Sequence, residues 1–112
     1  MPAERTGPPV LYSVVATVPD EQTLGEYVTW LRSGHLRAVL DAGAISAWAV
    51  RVQDPPAPLR IEASYVFPSL GAFKSYQEVH GPRLRAEGMV LFGPRGLTFE
   101  RRLGTIEARE PS

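Results

Sequence analysis

The chain has 112 residues, 44% of them hydrophobic and 21% charged, with twelve basic residues balanced by twelve acidic ones and no cysteine. A chain of this size closes around one core, and its average composition excludes wholesale disorder and fibrous repeats. Zero net charge gives no field to gather a polyanion, so neither nucleic acid nor a membrane is an expected partner. The lack of cysteine removes disulfides, thiolate metal sites and a Cys nucleophile, and makes a reducing cytoplasm the expected location.

In chain order, "MPAERTGPP" has neither apolar periodicity nor the apolar core of a signal peptide, and residues 1–9 are expected to form a flexible arm. "VLYSVVATV" is β-branched and aromatic, stops at Pro19 and reads as the first strand. Asp20 is a good helix N-cap, with Glu21 in the first turn. Leu24, Tyr27, Val28, Leu31, His35, Ala38 and Val39 then recur on one helical arc, predicting a helix to about Asp41 stopped by Gly43. "AISAWAVRV" is a second strand, and the proline-rich "QDPPAP" is a turn.

"LRIEASYVF" alternates and forms the third strand, ended by Pro68. Ser69 caps a second helix carrying Leu70, Phe73, Tyr76, Gln77 and His80 on one side, which breaks at Gly81-Pro82. A short helical turn resumes from Pro82 and is expected to finish at Gly88. "RGLTFERRL" is the fourth strand, and residues 107–112 are expected to be flexible. No run approaches the roughly 20 apolar residues that span a membrane.

The order β-α-β-β-α-β predicts an α+β, ferredoxin-like fold: a four-stranded antiparallel sheet with two helices on one face, as a single domain over 10–106. The strands carry apolar residues on both sides, and two helices cover only one. The other face would bear Leu11, Val15, Trp48, Val50 and Val66, mixed with Ser13, Ser46, Glu62, Ser64 and Glu100. Bared, such a patch would measure on the order of a few hundred Å². At roughly 25 cal/mol per Å² its covering is strongly favourable, so a homodimer through the sheet face is expected. RNA recognition by that face would need exposed aromatics among basic residues; Leu11, Ser13, Val15, Arg60, Glu62 and Ser64 do not supply them.

Candidate chemistry centres on the two histidines. His35 lies on the buried arc of the first helix and His80 on the inner edge of the second, and antiparallel helices would bring them to similar heights, lining one pocket. There a neutral imidazole can act as a general base or orient a ligand. The alternative is that both are core histidines held by backbone or tyrosine groups. Tyr12, Tyr27, Tyr65 and Tyr76 add hydroxyls to an apolar interior, as a ligand pocket or an ordinary core would. Arg83 and Arg85 follow the helix break, where they either meet an anion or sit on a solvated turn. Two histidines without a nearby carboxylate fall short of a metal site, and there is no nucleophile elbow, phosphate loop or dinucleotide fingerprint, so neither metal nor cofactor is expected.

Trp30-x-x-x-x-His35, Tyr76-x-x-x-His80-Gly81-Pro82-x-Leu84-Arg85, Gly88 and Phe92-Gly93 together resemble the dimeric α+β-barrel superfamily over about residues 10 to 104. That superfamily includes antibiotic-biosynthesis monooxygenases, and the pattern most resembles a small uncharacterised bacterial family within it. The resemblance implies a dimeric barrel with a cavity between helices and sheet, adding Trp30 to the ligand-binding candidates. It does not imply one activity, since one fold hosts many chemistries. Haem-degrading relatives use an Asn, Trp and His set, and this chain contains no Asn. Two readings follow: a dimer enclosing a small, largely apolar ligand, with acid/base or cofactor-independent oxygenase-type chemistry at His35 and His80, or a non-catalytic interaction module with core histidines. An open cavity reached by the imidazoles favours the first; tight packing with both rings satisfied favours the second.

Overall fold

The computed structural model describes residues 7–111. The expected flexible arm falls largely on residues 1–6, outside the described residues. Four strands form one antiparallel sheet in the order β2-β3-β1-β4: β1 (Val10–Val18), β2 (Ser46–Arg51), β3 (Leu59–Phe67) and β4 (Thr98–Thr105). The bounds of β1 and β3 are those of the two β-branched runs that Pro19 and Pro68 terminate.

Helix α1 (Glu21–Trp30) starts where the Asp20 carboxylate accepts a hydrogen bond from Thr23 N at 2.7 Å. Helix α3 (Leu70–Val79) starts in the same way at Ser69, which accepts from Ala72 N at 3.1 Å. The first helix is not continuous to Asp41: a π-helical turn over Leu31–His35 separates α1 from α2 (Leu36–Asp41). Gly34 departs there from helical backbone, and the Leu36 N–H donates to the Leu31 carbonyl, five residues back.

The chain does break at Gly81-Pro82, yet the segment that follows is a full helix, α4 (Gly81–Phe92), running past the expected stop at Gly88. Gly88 is there for packing. A Cβ on it would stand 3.2 Å from Trp30 Cη2, so the missing side chain lets Trp30 lie against α4. A 3-10 turn (Gly93–Arg95) and Gly96, whose φ of 96° favours glycine, then carry the chain into β4, which starts three residues later than the sequence suggests.

The register puts Leu11, Ser13 and Val15 of β1 opposite Val66, Ser64 and Glu62 of β3, and Ser46, Trp48 and Val50 of β2 opposite the same three residues. The expected apolar residues thus share the face away from the helices. Their exposure is narrower than expected. On the central strands Val66 is 1% exposed and Val15 is buried, so the open apolar surface of this face is chiefly Trp48 at 42% and Val50 at 47% on the edge strand β2. On the inner face Tyr12, Ala16, Ile61, Ala63, Tyr65 and Phe67 form the core with Leu24, Tyr27, Leu31, Phe73, Tyr76 and Leu84 from the helices. No helix among the described residues is long and apolar enough to cross a membrane.

Candidate functional site

The helices leave part of the inner face uncovered. Helix α4 packs on α3 and on the 3-10 turn, and between it, α1 and the β1–β4 half of the sheet lies a cavity of about 620 Å³. It is lined by Tyr12, Tyr27, Trp30, His35, Tyr65, Tyr76 and Arg85 among the residues singled out by sequence, and further by Val14, Leu84, Gly88, Met89, Leu97, Thr98, Phe99 and Arg101.

The π turn accounts for the spacing of Trp30 and His35. In a regular α-helix residues five apart project roughly 140° from one another. One extra residue in the turn brings them into line, and the indole and imidazole stack with centroids 4.1 Å apart and planes at 22°. Single π turns inside helices occur often at functional sites. Trp30 also meets Tyr27 and Phe92, while Tyr65 presents its ring edge-on to His35 at 6.5 Å. Tyr12 packs against Phe73 at 4.9 Å, completing an aromatic wall.

The electrostatics follow from burial. Desolvation disfavours the imidazolium and lowers the His35 pKa to about 4, so the ring is neutral near pH 7. Burial likewise raises the Tyr76 hydroxyl to about 12 and holds the Tyr27 and Tyr65 hydroxyls above the ordinary phenol value. Near pH 7 these three are therefore hydrogen-bond donors, not phenolates.

No protein hydrogen bond engages the side-chain polar atoms of Tyr12, Tyr27, Tyr65, Tyr76 or His35 among the described residues. Nor is any fully enclosed side-chain polar atom there left without a partner. The unpartnered hydroxyls and imidazole nitrogens are thus not sealed in the core, and the space they border is the cavity.

Two of the residues singled out lie elsewhere. His80 was expected to share a pocket with His35. Instead it borders a separate depression of about 440 Å³ with Ala42, Gly43, Pro68, Ala72, Ser75, Tyr76 and Val79. The cause is the helix break: His80 sits between α3 and α4 with φ −114°, its N–H donating to the Tyr76 carbonyl and its carbonyl accepting from Leu84 N. Tyr76, one turn earlier, takes the inward position and borders both spaces. Arg83 is exposed and does not line the cavity, whereas Arg85 does.

Phe99 and Arg101 were missed. Alternation along "LTFERRL" places them on the same face of β4, and the register sets them opposite Ala16 and Val14 on the inner side of β1. Among the described residues no three His, Asp or Glu side chains converge as a metal ion would require.

No curated protein matches the sequence. Solved structures similar in fold include a dimeric ferredoxin-like protein from an uncultured marine organism, 11% identical, with 92% of this chain and 99% of that one covered and a TM-score of 0.68. SnoaB of Streptomyces nogalater, a cofactor-independent oxygenase, is 18% identical in its N63A form, covers 95% of this chain and 100% of its own, and has a TM-score of 0.65. An antibiotic biosynthesis monooxygenase-like protein from Bacteroides thetaiotaomicron is 15% identical over 92% of each chain, with a TM-score of 0.56. At these identities the likeness speaks for the fold, and it bears out the ferredoxin-like arrangement expected from the order of elements. The family model described as Domain of unknown function (DUF4286) matches residues 9–106, and the chain belongs to that family.

Proposed function

We propose that the protein works as a homodimer whose subunits each bind a small, largely apolar ligand between helices and sheet, with His35 accepting a proton from it. The reaction would be acid/base or cofactor-independent oxygenase-type chemistry. The observation that carries this reading is the set of unpartnered tyrosine hydroxyls and the neutral His35 around an aromatic-walled cavity of about 620 Å³. A core histidine would be expected to hold a protein partner; His35 has a stacked indole and open space. A neutral imidazole accepts a proton from an acidified C–H or O–H, while Tyr27, Tyr65 and Tyr76 donate to the oxygen on which charge develops. The resulting anion would in turn stabilise the imidazolium that burial disfavours.

His80 would then be a junction residue of the helix pair rather than part of the chemistry. Self-association is supported by Trp48 and Val50 standing open on the outer sheet face and by a similar fold in proteins named as dimeric. The cofactor-free oxygenase named SnoaB supports the reaction type by analogy of fold.

The test is calorimetric titration with 2-naphthol, a neutral two-ring probe, followed by oxygen uptake with 1,4-dihydroxynaphthalene in the presence of a chelator. Micromolar binding, and uptake above the uncatalysed rate that His35→Gln removes, are the expected results. Absence of 2-naphthol binding at millimolar concentration would sink the ligand-binding reading. Uptake unaffected by His35→Gln would sink the catalytic part.

A further inference from the structure

We infer that the ligand of this cavity is an anion, a flat aromatic carboxylate whose charged group is held at the mouth by Arg85 and Arg101. The inference rests on the ligand-binding reading above and adds the chemical class.

The lining contains two guanidinium groups and no carboxylate. They come from two elements of the lining and reach its solvent side: half-buried Arg85 from α4, and exposed Arg101 from β4 opposite Val14. Arg85 folds back along its helix, its Nη1 3.4 Å from where a Cβ on Gly81 would stand, beside the Tyr76 ring. The neighbouring acidic residues are turned away. Glu100 adjoins Arg101 but lies opposite Val15 on the outer face, where Arg102 approaches Glu62 at 4.0 Å.

Arg51 pairs with Glu21, Arg95 with Glu26 and Arg102 with Glu62. Arg85 and Arg101 have no carboxylate partner among the described residues. Pairing does not by itself set the two cavity arginines apart, since Arg32, Arg37, Arg60, Lys74 and Arg83 also lack a carboxylate partner among the described residues; their place on the lining does. Two guanidinium groups on the lining of one largely aromatic cavity, both acting electrostatically on the Tyr76 hydroxyl there, favour an anion in that space, and a carboxylate matches their fork geometry. Charge at the mouth and aromatic walls behind it also orient a ligand, leaving the carboxylate by α4 and β4 and the opposite ring edge toward Trp30 and His35.

The test compares two probes of nearly equal shape, 2-naphthoate and 2-naphthamide, by calorimetry on the intact chain at low and moderate salt. The naphthoate should bind at least tenfold more tightly, and its advantage should shrink as salt is raised. In the Arg85→Gln/Arg101→Gln double variant the two affinities should converge on that of the amide. The control Arg32→Gln/Arg37→Gln, which removes two exposed charges away from the cavity, should keep the preference. Equal affinities in the native chain would overturn the anion assignment while leaving the ligand-binding reading intact. Binding of neither probe would overturn both. A preference that survives loss of Arg85 and Arg101 would overturn the assignment to these residues. Arg85 is half-buried and Arg101 exposed, and circular dichroism of the double variant verifies that the fold is kept.

Discussion

Burying His35 should make the protein acid-sensitive in a defined window. Desolvation lowers its pKa from 6.5 to about 4 in the folded chain, while the unfolded chain keeps the ordinary value. Between those values the unfolded state binds the extra proton, so the stability that neutral His35 contributes is complete above pH 6.5 and is lost as pH falls toward 4. At about 1.36 kcal/mol per unit, the full difference is on the order of 3 kcal/mol, of which roughly 2.5 kcal/mol is gone by pH 4.5. Urea unfolding at pH 7 and pH 4.5, followed by tryptophan fluorescence, measures the loss. His35→Gln should lose about 2 kcal/mol less than the native chain over the same interval. The carboxylates of Asp20, Glu21 and Glu26 also have lowered pKa values, set by the Thr23 backbone, Arg51 and Arg95. Their contributions are present above the ordinary carboxylate range and are lost only as pH falls through the lowered folded values, equally in both proteins. Parallel losses in the two proteins would refute the burial argument, as would a His35 NMR titration midpoint near 6.5.

Other perturbations test the neighbouring claims. Because the Tyr65 hydroxyl has no protein partner, Tyr65→Phe should change stability by less than about 0.5 kcal/mol yet weaken 2-naphthol binding; a loss of 1–2 kcal/mol, about what a buried hydrogen bond supplies, would restore the core reading. Gly88→Ala gains up to about 1 kcal/mol of helix propensity but sets a methyl 3.2 Å from Trp30. Near-native unfolding with several-fold weaker 2-naphthol binding is expected, and unchanged binding would mean that Trp30 does not shape the cavity. Trp48→Lys places a charge on the open outer face and should shift sedimentation from dimer to monomer at micromolar concentration. A native chain that already sediments as a monomer would contradict the assembly.

The fold was legible where one physical signal dominated. β-branched runs closed by proline gave the bounds of β1 and β3, and side chains able to accept from the first turn marked α1 and α3 at Asp20 and Ser69. Glycine was the weak signal, because it marks two opposite things. By position Gly88 resembles a helix stop, whereas it is the flat place on α4 that Trp30 fills, and only the partner side chain distinguishes the two. The π turn left a trace, since a Trp and a His five residues apart do not share a face of a regular helix, yet such turns are too rare to be inferred from spacing alone.

The candidate site divides in the same way. The aromatic wall and His35 fall on buried arcs and strand alternation, which a sequence displays directly. His80 departs from the inner edge that helical phase predicts because the helix ends at Val79, and the residue before the Gly-Pro break, at φ −114°, has already left the regular helix that Phe73 and Tyr76 set. Arg101 shares a face with Phe99 by alternation, but in a strand with two adjacent arginines the register is what shows that this face, and not that of Arg102, is the inner one.

The two histidines occupy different spaces, so a single NMR titration separates the readings. With imidazole carbons isotope-labelled and 2-naphthol added at pH 7, the His35 resonances should shift in a saturable way while those of His80 stay in place. Saturable shifts at His80 with His35 unmoved, or no shift at either ring at millimolar probe, would contradict the placement of a ligand between helices and sheet.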